Sequence, residues 1–181
     1  MTPDAAHRTL NAVALLQMPG AAEDRGFGPF LKNQRRKNMN TIVAAQPNDF
    51  SSALQLLKQN NLPTEDIAEG SLLFISSEDD AVVGTIGIEF YNDAALLRSL
   101  AVAEEKRSKG LGKDLVLFLE NFARKQGAKE LVLLTTTAAP YFLRNGYTTI
   151  QRVEVPEELK KSSEFTSTCP ASATVMKKDL A

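Results

Sequence analysis

Arg107-Ser108-Lys109-Gly110-Leu111-Gly112 comes just after the apolar run Leu96–Val102. The order reads strand, glycine turn, helix. Such a turn leaves backbone N–H groups free at a helix N-terminus, where they suit an anion such as a pyrophosphate. The glycines matter because a side chain would block close approach to the backbone. Two phosphate motifs fail here. A Walker A loop ending at Gly112-Lys113 would put Arg107 where its first glycine belongs and Asp114 where its hydroxyl belongs. In the dinucleotide pattern, Leu115 occupies the third glycine slot. Nucleotide hydrolysis and dinucleotide redox chemistry are therefore disfavoured.

Scarce residues narrow the chemistry further. The chain has one cysteine, Cys169, and one histidine, His7. No intrachain disulfide and no thiolate cluster can form, and a reducing, cytoplasmic compartment is expected. His7 falls in the expected extension, so histidine triads and histidine metal sites are not expected in the folded part. No metal is expected. Formal net charge is -1, which points to neither nucleic acid nor membrane as a partner. Residues 1–38 carry six Lys/Arg against three Asp/Glu, and the remainder is net acidic. Leu10–Met18 resembles the core of a signal peptide only weakly, because Asn11 and Gln17 interrupt it and acidic residues follow. The basic run Arg35-Arg36-Lys37 is short and lacks interleaved aromatics, unlike a nucleic-acid arm. Residues 1–38 are read as a disordered extension or overlong start, and 39–181 as one domain opening at Met39.

The elements that must position the glycine turn read as alternating strands and helices. Thr41–Ala45 is a strand, and Asn48 or Asp49 caps a helix through Gln59. Pro63, with Glu65 and Asp66, predicts a second short helix ending at Gly70. Ser71–Ser76 and Ala81–Tyr91 are strands joined at Ser77-Glu78-Asp79-Asp80, and Ala94–Ala103 is a fourth. After the turn, Leu111, Leu115, Phe118, Leu119 and Phe122 give a helix its apolar face, with Lys113, Asp114, Glu120, Arg124 and Lys125 opposite and Gly127 as terminator. Glu130–Thr135 is a buried-type strand, and Ala138–Asn145 a short helix ended by Gly146. Tyr147–Val155 and Ala173–Lys178 close the sheet, and Glu157–Thr168 is a polar loop or short helix. The class is α/β (α+β), with mostly antiparallel strands.

Arg-x-x-Gly-x-Gly after Leu97-Arg98-Ser99-Leu100-Ala101-Val102 resembles the GCN5-related N-acetyltransferase (GNAT) superfamily, and so does Ala139–Tyr147 downstream. The resemblance covers about residues 41–178. It implies a single GNAT-type domain, with a mixed, mostly antiparallel central sheet, helices on both faces, and strands 4 and 5 splayed around acetyl-CoA as co-substrate. It implies a pyrophosphate cradle of Arg107, Lys109, Gly110, Leu111, Gly112 and Lys113, and main-chain contacts from Leu100, Ala101 and Val102. The implied activity is acetyl transfer to the amine of a small molecule, by direct attack in a ternary complex. Protein N-acetylation and a non-catalytic acyl-CoA sensor stay open. So does a homodimer.

The family's usual proton donor is a tyrosine at the slot of Phe142, and Tyr141 stands one residue earlier. A residue is about 100° of helix rotation. Either the helix is turned so that Tyr141 reaches the sulfur, or the thiolate leaves without a tyrosine. Glu89 is the candidate base, with Glu154 or a water chain as alternatives. Alternation puts Arg98 on the side of Leu96, Leu100 and Val102, where a guanidinium needs a partner. It either binds an anionic group on the acceptor or pairs with a local acid such as Glu89. Thr135 and Thr137 could bond the pantetheine or the acceptor, or cap the next helix. Phe165–Ala173 resembles the superfamily branch associated with arsenic-resistance gene clusters, which implies an arsenic-containing or other anionic amino acid as acceptor. Cys169 is read as a rim or buried cysteine.

Overall fold

Seven strands form one sheet in the order β1-β2-β3-β4-β5-β7-β6. In this computed structural model the described residues are 41–68 and 70–180. The expected extension over residues 1–38, with His7 and the basic run, and the domain start at Met39 lie outside them. The strands are β1 Ile42–Ala44, β2 Leu72–Glu78, β3 Ala81–Tyr91, β4 Ala94–Val102, β5 Glu130–Thr135, β6 Thr148–Ile150 and β7 Thr174–Asp179. The α-helices are α1 Phe50–Gln59, α2 Leu111–Lys125 and α3 Ala139–Arg144. β4 and β5 run parallel, and the other paired strands are antiparallel. A parallel pair needs a crossover, which α2 supplies. Among the described residues no helix is long and apolar enough to cross a membrane.

Alternation along β2 sorts the two layers. Leu73 and Ile75 pack on Ala53 of α1, while the Phe74 ring meets Phe118 and Phe122 of α2 edge-on, each at 4.9 Å. The two helices thus cover opposite faces. A further apolar cluster of Leu96, Val132 and Val175 is covered by Val155 and Leu159. The β2–β3 turn is shorter than expected. Strand pairing continues to Glu78–Ala81, and Asp79 and Asp80 both take positive φ, 48° and 62°. Two left-handed residues match the twist of a tight hairpin.

Three expectations fail. Residues 63–70 form no helix among the described residues: Glu65 accepts the Thr64 N–H at 2.9 Å, and Asp66 reaches across to Arg98 at 2.6 Å. Three or four residues of helix cannot outweigh such tertiary partners. Glu120 is not on the polar face of α2. It is 4% exposed and accepts from Lys178 of β7 at 2.8 Å. The strand expected over Tyr147–Val155 ends at Ile150, because Glu154 caps a turn by accepting the Gln151 N–H at 2.6 Å.

Leu119 is fully buried on α2. Leu119→Ala is expected to cost about 2–5 kcal/mol of unfolding free energy, read from urea denaturation.

Candidate active site

β4 and β5 pair only over Ala94–Glu130, Ala95–Leu131 and Leu96–Val132. Beyond Leu96 the strands part. The β4 main chain from Leu97 onward then has β3 on one side and a gap on the other. This is the expected splay. The gap holds a cavity of about 550 Å³ lined by Leu97, Arg98 and Leu100 of β4 and Leu133, Leu134 and Thr135 of β5. Arg107, Phe142, Glu164 and Cys169 also line it.

Pairing between β3 and β4 slips between Thr85 and Gly87. The extra β4 residue lies at Ser99, whose φ is 55°, and its carbonyl accepts from the Thr85 hydroxyl at 2.9 Å. A bulge shifts side-chain parity downstream. Arg98 therefore shares a face with Leu96, opposite Glu89, as expected. Val102 turns to the α2 face, beside Gly112, against the simple alternation. Leu100 packs against the main core.

The glycine turn opens the 15-residue α2 with Gly110 as its left-handed N-cap, φ 93°. The N–H groups of Leu111, Gly112 and Lys113 begin the helix, where no carbonyl lies one turn back inside it. Space at Gly112 is tight: an added Cβ would stand 3.2 Å from the Tyr141 hydroxyl and 3.6 Å from Val102 Cγ2. Lys109 and Lys113 are exposed. Arg107 is turned back onto the protein. It donates to the Val102 carbonyl at 3.3 Å and to Asn60 at 2.8 Å.

On α3 the two aromatics diverge as a 100° step requires. Phe142 is 4% exposed and lines the cavity. Tyr141 sends its hydroxyl toward Gly112, where it is buried and unpartnered. Burial, followed by the charges of Asp114 and Glu120, raises the Tyr141 pKa above its ordinary value. Thr135 Oγ1 accepts the Ala138 N–H at 2.9 Å, so it caps the approach to α3 while lining the cavity. Thr137 lines it too.

Arg98 is 8% exposed. One guanidinium nitrogen donates to both Asp66 oxygens at 2.6 and 2.7 Å, the other to Glu89 at 2.5 Å. Glu164 lies 3.4 Å away. Burial pushes the Asp66 pKa up, but the hydrogen bonds from Arg98 and Ser163 outweigh it and bring Asp66 below its ordinary value. Glu89 accepts from Tyr91 as well, at 2.5 Å, and does not line the cavity. Glu164 does. It lies in the polar run before β7, with no periodicity or motif to mark it. The only pointer in the sequence is the need of Arg98 for acidic partners.

Cys169 donates its thiol to Glu164 at 2.7 Å. Burial first, then that carboxylate, pushes its pKa up to about 12. A protonated thiol is a poor nucleophile. At pH 8 Cys169 is expected to react with iodoacetamide at least about tenfold more slowly than a free cysteine thiol, whose pKa is about 8.5. A rate equal to free cysteine would contradict the Glu164 contact.

A model of the acetyltransferase (GNAT) family matches residues 38–147. An uncharacterised N-acetyltransferase of Chlorobaculum tepidum is 36% identical over 87 residues, which cover 48% of this chain and 56% of that protein. The fold superimposes on N-acetylglutamate synthase from Neisseria gonorrhoeae, solved with coenzyme A and N-acetyl-glutamate. The TM-score is 0.68 at 20% identity, over 78% of this chain and 35% of that one. The ribosomal-protein-S18-alanine N-acetyltransferase of Escherichia coli gives 0.60 at 18% identity, over 78% and 94%. The chain thus spans little more than half of the Chlorobaculum protein and about a third of the synthase.

Proposed function

We propose, because the chain belongs to the acetyltransferase (GNAT) family, that it transfers the acetyl group of acetyl-CoA to the amine of a small molecule while both substrates are bound. The observation that carries this reading is the cavity in the β4–β5 gap, which Arg107, ahead of α2, also lines. Its volume of about 550 Å³ is in the range of small-ligand sites. The 39–181 portion would be the catalytic domain.

In this reading the N–H groups of Leu111, Gly112 and Lys113 hold the pyrophosphate, with Lys109 and Lys113 adding charge. The gap-facing main chain of Leu100, Ala101 and Val102 takes the pantetheine arm and polarises the thioester carbonyl. The uncharged amine attacks that carbonyl: a C–N bond forms and the C–S bond breaks. The amine proton passes to a carboxylate, and the leaving thiolate takes a proton. Glu164 suits the base role because it lines the cavity, whereas both oxygens of Glu89 are occupied by Tyr91 and Arg98. Thr135 and Thr137 border the acceptor path.

Tyr141 is assigned the proton-donor role because Phe142 carries no hydroxyl, although the Tyr141 hydroxyl is buried beside Gly112 and not on the cavity wall. An acid must be protonated to work, and the Tyr141 pKa is raised above its ordinary value of 10. The alkaline fall in activity is therefore expected at higher pH than an ordinary tyrosine would give. Tyr141→Phe is expected to lower kcat by about 100-fold with acetyl-CoA affinity unchanged. Loss of acetyl-CoA affinity with kcat intact would place the hydroxyl in the cradle instead.

A CoA-release screen over amino acids, polyamines, aminoglycosides and amino-phosphinate or arsenical analogues tests the function and identifies the acceptor. The gonococcal synthase, bound to an acetylated amino acid, supports amino-acid-sized acceptors. An arsenic-containing amino acid belongs in the panel on the strength of Phe165–Ala173. Acetyl-CoA binding without CoA release for any amine would favour the sensor reading, which the lack of a tyrosine at position 142 supports.

A further inference from the structure

Two irregular segments contribute to the cavity wall. One holds Pro63 and Asp66, the other Glu164 and Thr168. They are about a hundred residues apart in sequence, and Ser163 bonds directly to Asp66. Both converge on Arg98, which rises from the middle of β4 between them. Its NH2 group takes both Asp66 oxygens and stands 3.4 Å from Glu164 Oε1. Its NH1 group takes Glu89 and lies 3.4 Å from the Ser163 hydroxyl. Gly87 on β3 makes room for the arginine stem, since a Cβ there would stand 3.3 Å from Arg98 Cγ.

This geometry is unlike an acceptor-binding arginine. Both terminal nitrogens of the guanidinium face carboxylates of the chain itself, three in all, while Nε is buried and unpartnered, and the neighbourhood is left formally negative. An anionic acceptor group would have to displace Asp66 or Glu89.

We propose that Arg98 is a positioning residue for the acceptor site: it pins the residue 63–68 and residue 162–168 segments to β4 and so fixes where Glu164 stands in the cavity. It acts through those segments rather than on the acceptor. The acceptor part of the inference rests on the acetyl-transfer reading. The pinning itself does not.

Hydrogen exchange and steady-state kinetics on the full chain separate the two. In Arg98→Gln, amides in both segments are expected to exchange at least about tenfold faster, because local opening tracks local contacts, while α2 and β5 stay protected. The acceptor KM is expected to rise at least about tenfold, a loss on the scale of one charge-assisted contact, with the acetyl-CoA KM within about twofold. Arg98→Lys should recover part of the acceptor KM. If Arg98→Gln does not fold, Asp66→Asn carries the same test and must loosen residues 162–168 as well as its own turn. Loosening of one segment alone, or of neither, overturns the pin. Coupled loosening with an unchanged acceptor KM, or with both KM values raised together, overturns the positioning role. If the wild-type protein acetylates no amine, the acetyl-transfer reading fails and the exchange result still decides whether Arg98 pins the walls.

Discussion

Gly112→Val is expected to abolish measurable acetyl-CoA binding while leaving the domain folded. The Cβ alone would come within 3.2 Å of the Tyr141 hydroxyl, and the added methyl groups would press on α3 and Val102. Relief requires moving either Tyr141 or the first turn of α2. The second move disturbs the N–H groups proposed to hold the pyrophosphate, and in either case a branched side chain there blocks close approach of phosphate to backbone. An affinity loss of at least about 100-fold, or about 2.8 kcal/mol, is expected, measured by calorimetry against acetyl-CoA. Gly110→Ala provides the contrast. No atom lies within 4 Å of a Cβ there, but φ is +93°. That variant should lose about 1–2 kcal/mol of stability through the backbone and a smaller share of affinity. Wild-type affinity in Gly112→Val would remove the cradle from the binding site.

Glu164→Gln is expected to lower kcat by about 100- to 1000-fold, the range of a lost general base, with acetyl-CoA affinity unchanged. Glutamine keeps an oxygen to accept the Cys169 thiol, so the local packing survives while the proton acceptor is lost. Glu89→Gln should cost kcat far less, because Glu89 is held by Tyr91 and Arg98 outside the cavity lining. Equal losses in the two variants would point to the shared Arg98 network rather than to a base. A larger loss in Glu89→Gln would restore Glu89 as the base.

The elements most legible in the sequence were those specified locally. β5 runs over Glu130–Thr135 and β3 over Ala81–Tyr91, as their apolar content and flanking turns indicate. α2 starts where the glycines permit and ends before Gly127, whose φ is 89°. The glycine turn ahead of α2 was legible for the same reason, since glycine spacing is a backbone property. What escaped depends on distant partners. Nothing near Glu120 announces Lys178, 58 residues on. Asp66 looked like a helix N-terminal acid and instead pairs with Arg98, 32 residues away. The bulge at Ser99 inverts the facing of Val102 relative to simple alternation, and no local residue type demands a bulge there. Glu164 entered the site only because the polar segment before β7 folds over the gap.

The most direct test of acetyl transfer in the β4–β5 cavity is a single turnover with enzyme in excess over acetyl-CoA, following free CoA and acetylated amine together. An accepted amine is expected to yield CoA and acetylated product in equal amounts, and neither should form without amine. Acetyl-CoA that binds but releases no CoA with any amine, or CoA released without amine to leave acetyl on the protein, would contradict direct acetyl transfer.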